Sequence, residues 1–170
     1  MIDVKDDLIF NVDGQDVRVF PRTLAEQVDG ICRSITFGLS ADVTTSSKDV
    51  NFNMTYGASE NQDADTSLAQ LSSGKVKILR GGRYLVVAQM AVTTSTDNRM
   101  QVRIDPFTSN KKDGIIDQPM RNYSTVHSSA IASGVKKLAA NTIVKMCRED
   151  ASSQMLSNYF TKITFVYLGE

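Results

Sequence analysis

The chain has no tryptophan, one histidine, three prolines and two cysteines among its 170 residues. Without tryptophan, the broadest platform for stacking a sugar ring is missing. His127, Cys32 and Cys147 are too few and too scattered to ligate zinc, and two cysteines are not a disulfide framework. Both cysteines sit in strand-like runs and are expected as buried free thiols, a common core role, although their spacing does not forbid a pair. No apolar run approaches the roughly 18 residues that a membrane span needs. The first residues, MIDVKDD, are acidic where a secretion signal would be basic and then apolar, so the expected place of synthesis and assembly is the cytoplasm, with exit by another route such as lysis. Net charge is also missing: 19 basic residues balance 19 acidic ones. That removes the long-range attraction to phosphate of a nucleic-acid binder and leaves little self-repulsion between copies. No heptad, long amphipathic helix or internal repeat occurs.

What is present is β pattern. Hydrophobic residues make up 41% of the chain, enough for one domain with its own core and a short extension. DLIFNV and QDVRVF flank Asp13-Gly14, a strong hairpin signal, and Pro21 closes the second strand. Thr23 and Glu26 can cap one helical turn that Gly30 ends. Residues 1–30 therefore read as an arm ahead of a main domain, 31–170. In that domain CRSITFGL is strand-like and 40–48 a polar loop. VNFNMT alternates, with Val50, Phe52 and Met54 on one face. Residues 57–66 form an exposed loop, and SLAQLSS and KVKILR meet at Ser73-Gly74. Residues 83–92 are apolar on both faces, as in a strand central to a sandwich or lying under a subunit contact. RMQVRID turns Met100, Val102 and Ile104 inward. Residues 106–122 read as a long loop and 151–158 as a loop or single helical turn. VHSSAIASGV and TIVKMCRE are strands joined near 139–141. FTKITFVYLGE closes the series with Ile163, Phe165 and Tyr167 inward. Short strands at such spacing predict a sandwich or barrel, and at this length a jelly roll.

Catalytic constellations are sparse. On a strand, Ser129 shares the face of His127, but no third group orients the pair. Asp105, Asp113 and Asp117 lie on or near one loop without a sugar cleft to serve. Glu60, Asp63 and Asp65 crowd another loop but lack the glycine and closing glutamate of a calcium hand. Gly81-Gly82 leads into a strand, so the phosphate-binding helix terminus is absent. Arg80, Arg83, Arg99 and Arg103 suggest a basic stripe on one sheet face, set against ion pairs or a plain solvated surface. No enzyme activity, cofactor or metal is expected.

Three segments carry a resemblance. VKILRGGRYLVVAQMAV resembles the strand pair of the tumour-necrosis-factor-like and complement globular-head superfamily, in which Gly, one residue and Tyr open the central strand, here Gly82 and Tyr84. VKKLAANTIVKM resembles the penultimate strand pair, with Ala140-Asn141 replacing the usual Gly-Asp turn. FTKITFVYLGE resembles the closing strand. The resemblance implies an all-β, TNF-like jelly-roll sandwich that forms a homotrimer, with Tyr84, Val86, Phe165 and Tyr167 lining the three-fold axis. The segment VRVFPRTLAEQVDG resembles the lead-in of bacteriophage structural proteins. The expectation is then a non-enzymatic trimeric fibre or decoration module of a virion, assembled in the host cytoplasm and attached to other virion proteins through residues 1–30. The alternative is a receptor- or carbohydrate-binding head facing a host surface glycan, and a third is a calcium-dependent binding module. Neither nucleic acid nor a membrane is an expected partner.

Overall fold

A computed structural model describes residues 8–12, 15–19, 33–56, 64–93, 98–106, 113–124, 127–150 and 152–170. The first hairpin is as expected. Strands β1 (Leu8–Val12) and β2 (Gln15–Val19) pair antiparallel in a sheet of their own, with Val12 opposite Gln15. The expected turn at Thr23 to Gly30, Cys32, Glu60 and Asp63 lie outside the described residues.

Further along come β3 (Ser34–Gly38), β4 (Val43–Thr45), β5 (Met54–Tyr56), β6 (Ala69–Ser72), β7 (Lys75–Ile78), β8 (Gly82–Val92) and β9 (Arg99–Asp105). They are followed by β10 (Gly114–Pro119), β11 (Arg121–Ser124), β12 (His127–Leu138), β13 (Ile143–Arg148), β14 (Gln154–Leu156) and β15 (Lys162–Gly169). These strands make a jelly-roll sandwich of two antiparallel sheets. The smaller runs β10-β9-β13-β7-β6. The larger runs β11-β12-β8-β15-β3-β5, with β14 bridging β4 and β8.

Alternation fixes which side chains fill the space between the sheets. Along β8 the even positions Tyr84, Val86, Ala88 and Met90 are buried, and the odd positions from Leu85 on are half-buried, with Arg83 exposed. β15 contributes Ile163, Phe165 and Tyr167, and the small sheet supplies Val76, Ile78, Met100, Val102, Val144 and Met146. Phe165 meets Phe37 and Tyr84 edge-on at centroid distances of 6.4 and 6.2 Å. Tyr84 meets Tyr167 at 5.4 Å. Such edge-to-face pairs add to the area that each ring buries.

The Gly-x-Tyr of the sequence has a local reason. A Cβ on Gly82 would stand 2.4 Å from the Tyr167 ring and 2.7 Å from the Gly169 carbonyl oxygen. Only a missing side chain lets the end of β15 close over the start of β8. Tyr84 then donates from its hydroxyl to the Arg80 carbonyl at 2.6 Å. Gly134 plays the matching part between the sheets, because its Cβ would come 2.6 Å from the Ile115 carbonyl oxygen on β10. Gly134→Ala is expected to push β10 off β12 and cost about 1–3 kcal/mol, the usual range for overpacking. Chemical denaturation checks this through a lower midpoint at unchanged slope.

Four expectations are corrected. Residues 40–48 are not all loop, since β4 pairs with β14. Residues 106–122 hold β10, which pairs with β9, and the start of β11, which pairs with β12. Residues 151–158 contain β14 rather than a helical turn. Val50 and Phe52 are buried as their alternation predicts, but the strand itself begins only at Met54. Two of the missed strands, β4 and β14, share one support, the guanidinium of Arg148, whose residue is 1% exposed. It donates to the Ser47 carbonyl at 3.0 Å, to the Thr45 carbonyl and to Oε1 of Gln154. Gln154 is held in turn by Asn98 and Asp150. β13 of one sheet is thereby tied to β4 and β14 at the flank of the other.

Candidate functional site

The two outward faces of the sandwich differ in kind. On the small sheet the exposed side is charged and internally paired. Asp105 takes Lys75 at 2.7 Å and Lys145 at 3.3 Å, and Lys145 also reaches Asp49 at 3.2 Å. Arg99 meets Asp117 at 2.9 Å. The hydrogen bond from Lys75, ahead of the opposing effect of burial, holds the Asp105 carboxyl below the ordinary carboxylate range. Surface pairs of this sort add little stability, and this face is suited to water.

On the large sheet the outward positions are set by register. Val135, Leu85, Val166 and Ser34 form one row across β12, β8, β15 and β3. Ser133, Val87, Thr164 and Thr36 form the next, closed by a 2.8 Å hydrogen bond between the two threonine hydroxyls. Ile131, Gln89 and Lys162 form a third. Lys162, the one cation in these rows, lies 5.7 Å from the centre of the Tyr56 ring. Ile131 and Val135 are 68% and 60% exposed. These three rows put valine, leucine and isoleucine outward, as at the centre of a protein interface, and basic residues border them, with Lys137 opposite Arg83 in the next row and Arg121 opposite Ser129.

This placement corrects the expected axis residues. Tyr84, Val86 and Phe165 are 0% exposed and Tyr167 is 5% exposed within a single chain. They fill the core and cannot touch a second copy. The residues available for contact stand one position away on the same strands: Leu85, Val87, Thr164 and Val166. A strand apolar on both faces signals such a surface, but it does not say which face is which.

At the β14 end of the face an open groove of about 760 Å³ is cut. Its floor includes Gln89, Ala91, Ser129 and Ile131, and its walls include Pro119 and Arg121 on one side and Met155 and Phe160 on the other. Phe160 and its neighbour Tyr159 occupy the turn before β15 and are 55% and 76% exposed.

The remaining candidates disperse. Arg83 lies on the large sheet while Arg99 and Arg103 lie on the small one, so no single basic stripe forms. Arg80 stands 4.6 Å over the Tyr167 ring. Asp65 is engaged by Arg33 at 3.1 Å and by the Ser67 amide at 3.0 Å. Asp105 and Asp117 are held by the basic partners already named. His127 begins β12 opposite Ser124. Cys147 is a buried free thiol whose pKa burial pushes up.

The fold and this face define a TNF-like jelly roll, and solved structures agree. The chain is similar to the Eiger TNF of S. frugiperda at 17% identity and a TM-score of 0.61, covering 82% of this chain and 94% of that one. It is similar to murine APRIL at pH 5.0 at 14% identity and a TM-score of 0.60, covering 81% and 99%. Residues 59–169 match the family described as Cgl0159-like, and the chain belongs to that family. No match is found among curated proteins.

Proposed function

We propose that this chain is a non-catalytic assembly module that works as a homotrimer through the outward face of its large sheet. In this reading it is a structural piece of a bacteriophage particle, a fibre or decoration module, put together in the host cytoplasm. Residues 1–30 join it to other virion proteins. The observation that carries the proposal is the asymmetry of the two faces, one studded with paired charges and the other presenting Ile131, Val135, Leu85 and Val87. The resemblance of the strand segments to a trimeric superfamily supports three copies. The phage setting is supported by the VRVFPRTLAEQVDG lead-in and by the separate β1–β2 hairpin ahead of the sandwich.

The test is solution mass by light scattering on the full chain. Val87→Asp places a carboxylate in the middle row of the face, where closure would bury it unpaired. The expected result is a trimer for the wild type and a folded monomer for the variant, with the circular dichroism of the wild type. A wild type that is monomeric up to high concentration sinks the trimer, and a variant that stays trimeric removes this face from it.

A further inference from the structure

We infer that the groove at the β14 end of the large-sheet face is a socket for the Tyr159–Phe160 turn of a neighbouring copy of this chain. The inference rests on the trimer proposed above and names the contact that closes it. The groove has the chemistry that a tyrosine side chain needs. Ala91, Ile131 and Met155 offer apolar wall, Ser129 and Gln118 offer neutral hydrogen-bonding groups for a phenol hydroxyl, and Arg121 offers a guanidinium for the ring face. At about 760 Å³ and open on one side, it has room for more than one ring.

The matching knob is on the same molecule. Tyr159, 76% exposed, is the most exposed of the large hydrophobic side chains among the described residues. The turn that presents it is braced. The Asn158 amide donates to Asp42 at 2.8 Å, and the Tyr56 hydroxyl donates to the Asn158 carbonyl at 3.4 Å. A braced aromatic gives up little side-chain freedom when it docks. Phe160 of the same turn lines the groove of its own chain, so knob and socket lie side by side at one end of the face. Tyr159 is absent from the lining of its own groove and stays 76% exposed, so knob and socket remain two adjacent, unfilled patches in one copy. They meet in a heterologous contact, which closes into a ring when the rotation allows. Near a three-fold axis each turn then enters the next copy's groove, and all three grooves fill. The other residues of the turn, Ser157 and Asn158, are uncharged, so closure buries no unpaired charge from it.

The experiment uses the absence of tryptophan from the chain. Tyr159→Trp introduces a single indole on the knob. Its emission and its quenching by acrylamide are followed on dilution, with mass measured in parallel by light scattering. The expected result is a shielded, blue-shifted indole while the protein is trimeric, becoming accessible as the trimer dissociates. Tyr159→Ala should weaken the trimer by roughly 30-fold or more in dissociation constant, as loss of a central aromatic anchor does, with the monomer's melting unchanged. Tyr159→Phe should recover most of the loss. An indole equally accessible in trimer and monomer, or a Tyr159→Ala trimer that dissociates with the wild type, overturns the socket and leaves the trimer standing. A wild type monomeric at every concentration overturns both.

Discussion

Phe165→Ala is expected to lower the free energy of unfolding by about 3–5 kcal/mol, the range for removing a fully buried aromatic ring. The ring is 0% exposed and sits between Phe37 and Tyr84. β15 lies between β8 and β3, so no edge is near enough to relax into the space. The loss combines the transfer free energy of the ring, two edge-to-face contacts and a cavity that neighbours on both sheets cannot fill. Guanidinium denaturation followed by far-ultraviolet circular dichroism measures it. The outcome also separates two placements of this residue. A core residue loses stability whatever the state of assembly. A variant that melts with the wild type but loses its partners would return Phe165 to the three-fold axis.

The second large effect is expected at Arg148. Arg148→Leu keeps much of the side-chain volume but leaves the Thr45 carbonyl, the Ser47 carbonyl and Oε1 of Gln154 without their shared donor. Each deserted buried acceptor costs about 1–3 kcal/mol, and removing a buried cation returns part of that, for a net loss of about 2–4 kcal/mol. Burial lowers the guanidinium pKa, with Asp150 opposing, yet the group stays charged. Arg148→Lys should recover little, because one ammonium cannot span three acceptors arranged for a planar fork. Hydrogen exchange gives the local readout: amides of β4 and β14 should lose protection before those of β8. If Arg148→Leu and Arg148→Lys both unfold within about 0.5 kcal/mol of the wild type, the size of a neutral surface change, the clasp is ornamental.

These two sites also mark where the sequence was readable. The long strands β8, β9, β12, β13 and β15 announce themselves because their alternation spans several residue pairs, and the β6–β7 turn follows from Ser73-Gly74, both at positive φ. The short strands β4, β11 and β14 have only three or four residues, too few for alternation to show, and those of β4 and β11 are largely polar. β4 and β14 owe their place to a residue roughly a hundred positions away in one case, Arg148 binding Thr45. β10 hides because its register on β9 shifts between Gly114 and Ile116, which breaks the alternation. The candidate site was half-legible. The doubly apolar pattern of residues 83–92 marks a strand with two covered faces, but the resemblance placed Tyr84 and Phe165 at the axis, whereas rings of that bulk are what the space between two sheets demands. The groove depends on β10, β12 and the turn at Tyr159 meeting, and no local pattern encodes that.

The 2.8 Å bond between Thr36 and Thr164 joins residues 128 positions apart. β3 reaches the rest of the large sheet through β15, and β15 lies between β3 and β8. The large sheet is therefore assembled from distant pieces, a topology whose folding typically takes milliseconds to seconds because long loops must close before any pairing rewards them. Until β15 is laid down, β8 shows an unpaired edge beside its own apolar outer row, which can pair with the same edge of another nascent chain. The surface proposed to hold folded copies together is thus also the surface on which unfinished copies would stick.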